Sequence, residues 1–160
     1  MQIRRFEPGD KDALTALALR AFAPVYTGIC SALPPYAVRA FYPQGWEAHE
    51  RAQMAALCDD EATDLWMAVV NGAVAGYAGL RRHAEDRMGE VYVIGVDPDR
   101  QRQGIARALV DHALACFAEE GLAMAMIETG ADPGHAPARK AYEAMGFDTW
   151  PAVRYLKALG

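Results

Sequence analysis

Gln2 to Phe6 alternates polar and apolar residues, the period of a half-buried strand, and Pro8-Gly9-Asp10 breaks that pattern. Ala13, Leu14, Leu17, Ala18 and Ala21 then recur at the spacing of one helix face. From Pro24 to Gly45 the chain is rich in proline and aromatic residues, which predicts loops and a short helix before a second helix from about Trp46 to Leu57. Leu65 to Val70, Asn71-Gly72 and Ala73 to Leu80 read as a hairpin, because Asn-Gly supplies the positive φ angles of a tight primed turn. A third strand of this group runs from about Gly89 to Val96. Residues 104–120 carry Ile105, Leu109, Ala113 and Cys116 on one helical face, and Gly121 supplies the left-handed cap. Ala123 to Glu128 predicts a short strand beside the one ending at Val96. Pro137 suits the first turn of a helix ending at Gly146, and Val153 to Leu159 predicts a last strand that closes the sheet.

The order of elements, with no internal repeat and no linker, predicts a mixed α/β fold in a single domain over residues 1–160. A net charge of -5 with both signs dispersed argues against nucleic acid or an anionic membrane as the main partner. No apolar run approaches membrane-spanning length and the first ten residues lack a signal-peptide core, so a cytoplasmic protein is the expectation. Cys30, Cys58 and Cys116 are isolated, odd in number and without metal spacing, which reads as reduced thiols and no metal site.

The chemistry concentrates in Val96-Asp97-Pro98-Asp99-Arg100-Gln101-Arg102-Gln103-Gly104-Ile105-Ala106, where an apolar strand turns through a basic loop straight into a helix. The first N–H groups of a helix lack intrahelical acceptors and carry the positive end of its dipole, so main chain alone can hold a phosphate or diphosphate. Gly104 permits close approach, and Arg100, Arg102 and Arg107 add charge. The missing Gly-Lys-Ser/Thr tail excludes a magnesium-dependent triphosphate loop.

Gln101-Arg102-Gln103-Gly104-Ile105-Ala106 resembles the Gln/Arg-x-x-Gly-x-Gly/Ala pattern of the GCN5-related N-acetyltransferases. A second match follows in His135-Ala136-Pro137-Ala138-Arg139-Lys140-Ala141-Tyr142-Glu143-Ala144-Met145-Gly146-Phe147. The resemblance runs from about Glu90 to Phe147 and implies a central, mostly antiparallel sheet flanked by helices, with a splayed pair of strands. It implies acetyl-CoA as cosubstrate, its arm lying along the backbone of Ile94, Gly95 and Val96 and its diphosphate held by Gln101, Arg102, Gln103, Gly104, Ile105, Ala106 and Arg107. The sequence departs from the family pattern at Gln103, where glycine or a basic residue is common, and at His135, where an asparagine usually touches the cofactor arm.

Acetyl transfer to an amine needs a base, because an alkylamine with a pKa near 10 is mostly protonated at neutral pH. Glu90, at the start of the strand that leads to the loop, is the candidate, and a solvated carboxylate is the competing reading. The resemblance implies that the Tyr142 hydroxyl reaches the departing sulfur as its proton donor, whereas spacing alone reads as a core tyrosine on the apolar stripe of Ala138, Ala141 and Met145. The oxyanion would rest on backbone N–H groups freed by a bulge near Ile94 to Val96. His49, His83 and His112 have no partner at a recognisable spacing, although His83 precedes the Glu90 strand. Tyr26, Tyr36 and Tyr42 are candidate pocket aromatics for a cationic amine.

These readings point to direct transfer of an acetyl group to a small-molecule amine within a ternary complex. A peptide acceptor, a non-catalytic acyl-CoA sensor and an unrelated phosphate-binding α/β protein stay open. The acceptor is unspecified, and a homodimer is the commonest arrangement of soluble homo-oligomers.

Overall fold

Side-chain parity along the strands decides what the sheet can cover on each face, and the computed structural model, which describes residues 1–159, shows that parity directly. The chain divides into two compact units, Met1–Phe22 with Glu50–Glu128, and Ala23–His49 with Thr129–Gly160.

The first unit is a five-stranded sheet in the order β1-β2-β3-β4-β5, made of β1 (Gln2–Arg5), β2 (Asp64–Val70), β3 (Ala73–His83), β4 (Met88–Val96) and β5 (Met124–Ile127). All pairings are antiparallel except β4 with β5, which is parallel. The β2–β3 turn is the primed hairpin that Asn-Gly predicts, with φ of 51° at Asn71 and 77° at Gly72. The parallel pair requires a crossover, supplied by helix α4 (Ile105–Glu119). Its Ile105, Leu109, Ala113 and Phe117 pack on Ala68, Ala75, Ala78, Leu80 and Val91. The opposite face takes Leu14, Leu17 and Ala18 of α1 (Lys11–Ala32) and Met54 and Leu57 of α3 (Trp46–Asp59), set against Leu65, Met67 and Tyr77. Each fully buried aliphatic side chain here contributes about 1.5–3 kcal/mol.

The second unit holds the later half of α1, α2 (Pro35–Phe41), the start of α3, and helix α5 (Ala136–Ala144) with the 3-10 turn Pro133–His135 before it. Gly134 lies on the α1 backbone, where a Cβ would come within 2.9 Å of Val25 Cα.

The structure corrects four expectations. Helix α1 does not stop before Pro24 but continues to Ala32, the packing of its first turns in the core outweighing the one hydrogen bond that Pro24 removes. The continuous helical stretch Pro8–Ala32 is therefore long and apolar enough, by length and composition, to cross a membrane, although its Leu14, Leu17 and Ala18 are buried in the core of the first unit. Phe117, not Cys116, fills the last core position of α4, and burial pushes the half-buried Cys116 thiol up. Val153 to Leu159 forms no strand: the segment finds no ladder partner, Pro151 removes a donor beside it, and Trp150, Val153 and Tyr155 are exposed.

Candidate active site

Strand β4 outruns its neighbour. Its pairing with β5 ends at Val91 opposite Ile127, while on the other side its pairing with β3 continues to Val96 opposite Gly76. The main chain from Tyr92 to Val96 therefore has an edge that β5 does not cover, which is the splay the resemblance implies. A bulge lies in the same stretch: Val91 faces Leu80 and Val93 faces Gly79, so Tyr92 is the extra residue. The bulge falls at Tyr92, earlier than the expected Ile94 to Val96, and it reverses the parity of the strand. Val91 packs with the α4 cluster, yet Val93 packs with the α1–α3 cluster and Ile94 and Val96 turn to α4. A Cβ on Gly95 would come 2.5 Å from Tyr77 Cε1. Thus Ile94, Gly95 and Val96 offer main chain on the open edge, the side chains of Ile94 and Val96 being committed to packing and Gly95 lying tight on Tyr77.

The strand then delivers the chain to the anion loop. Asp97 is buried, accepts from the backbone N–H of Asp99 at 3.1 Å and faces Arg20 Nη2 at 2.5 Å, which pins the turn Pro98–Arg100. Arg102 and Gly104 both take left-handed backbone, φ 61° and 79°. Gly104 is required by that conformation and not by crowding, since a Cβ there would meet nothing within 4 Å. Among the described residues no carbonyl accepts from the amides of Arg102 to Arg107, and the first intrahelical bond runs from Ala108 to Gly104. Left-handed turns followed by a helix start make an anion-binding concavity of main-chain donors. Gln101, Arg102, Gln103 and Gly104 are exposed, Ile105 buries its side chain in the core, Ala106 is half-buried, and Arg107 pairs with Asp111 at 3.6 Å in a solvated contact. The backbone is therefore the stronger part of the cradle, and the arginines the weaker part.

Glu90 is not a freely solvated carboxylate. Its side chain is 14% exposed and its Oε2 lies 2.7 Å from His83 Nε2. All three histidines thought partnerless at sequence level have neighbours: His83 has Glu90, His112 has the Trp66 ring and the Cys116 sulfur, and His49 has the rings of Tyr26 and Tyr42. Pairing set by strand register and tertiary packing leaves no local spacing signal. Of the proposed pocket aromatics, Tyr26 and Tyr42 meet edge to face at 5.4 Å in the second unit, with Trp46 stacked on Tyr26. Tyr36 stands outside that group of rings.

Tyr142 and His135 belong to the second unit. Tyr142 is buried, and burial pushes its phenol up to about 12. His135 sits at the start of α5 and its Nδ1 pairs with Asp132 Oδ2, a contact that holds the Asp132 carboxyl below the usual range despite its burial. Asp132 and Arg139, which donates to the carbonyls of Gly130 and Asp132, shape the turn ahead of α5, and neither was singled out from the sequence. An Asp-x-x-His spacing at a helix start was the available signal. Among the described residues no cluster of three or more His, Cys, Asp or Glu side chains is placed to hold a metal ion.

The profile of the Acetyltransferase (GNAT) family matches residues 34–147, spanning both the open β4 edge and the amide cradle. The chain belongs to the GNAT acetyltransferase family. Relatives include a mycothiol acetyltransferase of Acidothermus cellulolyticus, 36% identical over 157 residues, covering 94% of this chain and 45% of the relative. One of Actinosynnema mirum is 32% identical, covering 96% of this chain and 46% of the relative. This GNAT chain thus spans about half the length of the curated relatives it matches. Among solved structures it is similar to the ribosomal-protein-S18-alanine N-acetyltransferase of Escherichia coli, with TM-score 0.67, 25% identity, and coverage of 94% of this chain and 79% of that one. The PaiA N-acetyltransferase of Thermoplasma acidophilum in complex with coenzyme A shares the GNAT fold at TM-score 0.69 and 12% identity, covering 95% and 92%.

Proposed function

We propose that this GNAT protein is an acetyl-CoA-dependent N-acetyltransferase that acetylates a primary amine of a small molecule by direct attack within a ternary complex, with residues 1–160 acting as one catalytic domain. The observation that carries the reading is continuity: the open edge of β4 from Tyr92 to Val96 runs straight into the free amides of Arg102 to Arg107. An extended ligand with amide groups and a diphosphate fits that run of main-chain donors and acceptors, with no metal needed to offset the charge. Acetyl-CoA, when bound, supplies the activated thioester.

The chain's own groups divide the remaining work. Glu90 takes the proton of the incoming amine, directly or through one water, so that the nitrogen attacks neutral. Backbone N–H groups beside the Tyr92 bulge hold the developing oxyanion. Tyr142, at about 12, stays protonated at any physiological pH and donates a hydrogen bond to the departing sulfur. An ordinary thiol has a pKa near 8.5, so that sulfur leaves without taking the phenol proton outright. His135 presents Nε2 to the cofactor arm in place of an asparagine amide. The raised thiol of Cys116 gives no support to an acetyl-cysteine route.

A small-molecule acceptor is supported by the name mycothiol acetyltransferase carried by the relatives. Likeness to the Escherichia coli ribosomal-protein alanine acetyltransferase favours a second reading, a peptide N-terminus. The free Cys30, Cys58 and Cys116 and the net charge of -5 support a cytoplasmic protein without nucleic acid or membrane as partner, and a homodimer is the first assembly to test.

The test is the thermal midpoint with acetyl-CoA, free CoA and ATP in parallel, followed by CoA release against small amines and alanine-terminated peptides. Ligand at a hundred times its Kd stabilises the fold by about 2.7 kcal/mol. A rise with both CoA species and not ATP, then turnover with a small amine, is the expected result. No rise with any of them overturns the reading, and turnover with peptides alone transfers it to the second.

A further inference from the structure

The register of the β3–β4 ladder places Arg81 directly opposite Glu90, an arrangement that ordinarily yields a carboxylate–guanidinium pair. That pair does not form. Arg81 turns away, its Nε donating to Thr63 Oγ1 at 2.8 Å, its Nη2 to Asp60 Oδ2 at 2.8 Å, and its guanidinium lying over the Tyr92 ring. Glu90 is met by the diagonal neighbour on the same face, His83, whose Nε2 is 2.7 Å from Oε2. Among the described residues no other side chain donates to this carboxylate.

The exchange of partners has a chemical consequence. A guanidinium at hydrogen-bond distance stabilises the carboxylate permanently and so weakens it as a base. A neutral imidazole donates one hydrogen bond, fixes the orientation of the group and imposes no permanent charge. The backbone makes the arrangement rigid: His83 is the last residue of β3, held opposite Met88, and the turn behind it is closed by the Arg87 N–H on the Ala84 carbonyl at 3.2 Å. The Glu90 side chain is 14% exposed and that of His83 is 40% exposed, so the carboxylate is the more withdrawn member of the pair.

We propose that His83 is a positioning residue for the acetyl transfer: its Nε2–H holds Oε2 of Glu90, leaving Oε1 as the oxygen that takes the proton of the acceptor amine. The ammonium gives one proton to Oε1 before attack; the neutral nitrogen then forms the N–C bond as the C–S bond breaks, its second proton passes to the departing sulfur, and the imidazole keeps its own proton throughout. This role rests on Glu90 being the base.

Four variants separate the two claims: Glu90→Gln, His83→Leu, His83→Gln and the Glu90→Gln/His83→Leu pair, each assayed for kcat and for the KM of acetyl-CoA with an accepted amine. Glu90→Gln should lose kcat tenfold or more. His83→Leu should lose it about tenfold, with the KM of acetyl-CoA within twofold. His83→Gln, whose amide reaches the Nε2 position, should recover most of that loss, and His83→Leu should cost nothing further once Glu90 is already glutamine. A wild-type kcat in His83→Leu, or additive losses in the pair, overturns the role of His83 alone. A wild-type kcat in Glu90→Gln overturns the base assignment and the role of His83 with it. If His83→Leu fails to fold, His83→Asn replaces it; its shorter amide misses Oε2, so activity equal to that of His83→Gln overturns the proposal.

Discussion

Asp97 and Arg20 join the end of β4 to helix α1, with Oδ2 and Nη2 2.5 Å apart. The carboxylate does more than pair. It also accepts from Asp99, and the Asp97 N–H donates to the Ala75 carbonyl at 3.0 Å, so a single residue fixes where the strand ends and the anion loop begins. Asp97→Ala should lower stability by about 1–2 kcal/mol, the cost of a lost cap bond and a broken pair. It should raise the KM of acetyl-CoA several-fold with kcat near its original value. Urea unfolding and steady-state kinetics check both. Arg20 is half-exposed, and Arg20→Ala should cost no more than about 1 kcal/mol.

Gly95→Ala tests the packing beneath the open edge. Its Cβ would lie 2.5 Å from Tyr77 Cε1 in a core that cannot yield, so the variant should lose about 1–3 kcal/mol by overpacking. Tyr77→Leu in the same chain should recover part of that loss. Denaturant midpoints of the single and double variants show the non-additivity.

Tyr142→Phe should lower turnover tenfold or more and leave CoA affinity unchanged, read by kinetics and by CoA titration. A second signature appears at alkaline pH. The folded value of about 12 lies above the unfolded value of 10, so the native state holds the phenolic proton longer than the unfolded chain does. The stabilisation is complete below pH 10 and is lost as pH rises through 12, by about 2–3 kcal/mol. The stability difference between wild type and Tyr142→Phe should therefore shift by that amount between pH 9 and pH 12.

At the acid end, His112 governs a smaller change. Burial holds its imidazole below 6.5, its ring lying 4.1 Å from that of Trp66. Below pH 6.5 the unfolded chain binds a proton that the native state resists, so stability is full above that value and falls as pH falls through it. His112→Gln should flatten the dependence between pH 7.5 and pH 5, measured by urea unfolding against wild type.

The hairpin at Asn71-Gly72, the α4 cap at Gly121 and the anion loop were legible because each is written in contiguous residues whose backbone demands are local. Gly121 shows it: Leu122 N–H reaches the Phe117 carbonyl, the 6→1 bond that a left-handed glycine permits. The Glu90–His83 pair was not legible, since it depends on the register of two strands. The bulge at Tyr92 was placed too late for the same reason, because Val91-Tyr92-Val93-Ile94 reads as uninterrupted apolar strand. Pro24 misled in the other direction: local propensity marked a break that the tertiary packing of α1 overrides. The unformed strand at Val153 to Leu159 shows that an apolar run is only an offer of pairing.

The parity reversal at Tyr92 gives β4 a division of labour. Glu90 lies before it with a side chain that no core cluster claims, whereas Val93 and Gly95 beyond it carry the packing against Tyr77 and its neighbours. Glu90 can therefore be exchanged with little cost to folding, whereas Gly89 and Val91 beside it and Val93 and Gly95 beyond the bulge are each tied to a core. A lineage could therefore vary this one carboxylate position while the residues that flank it stay frozen.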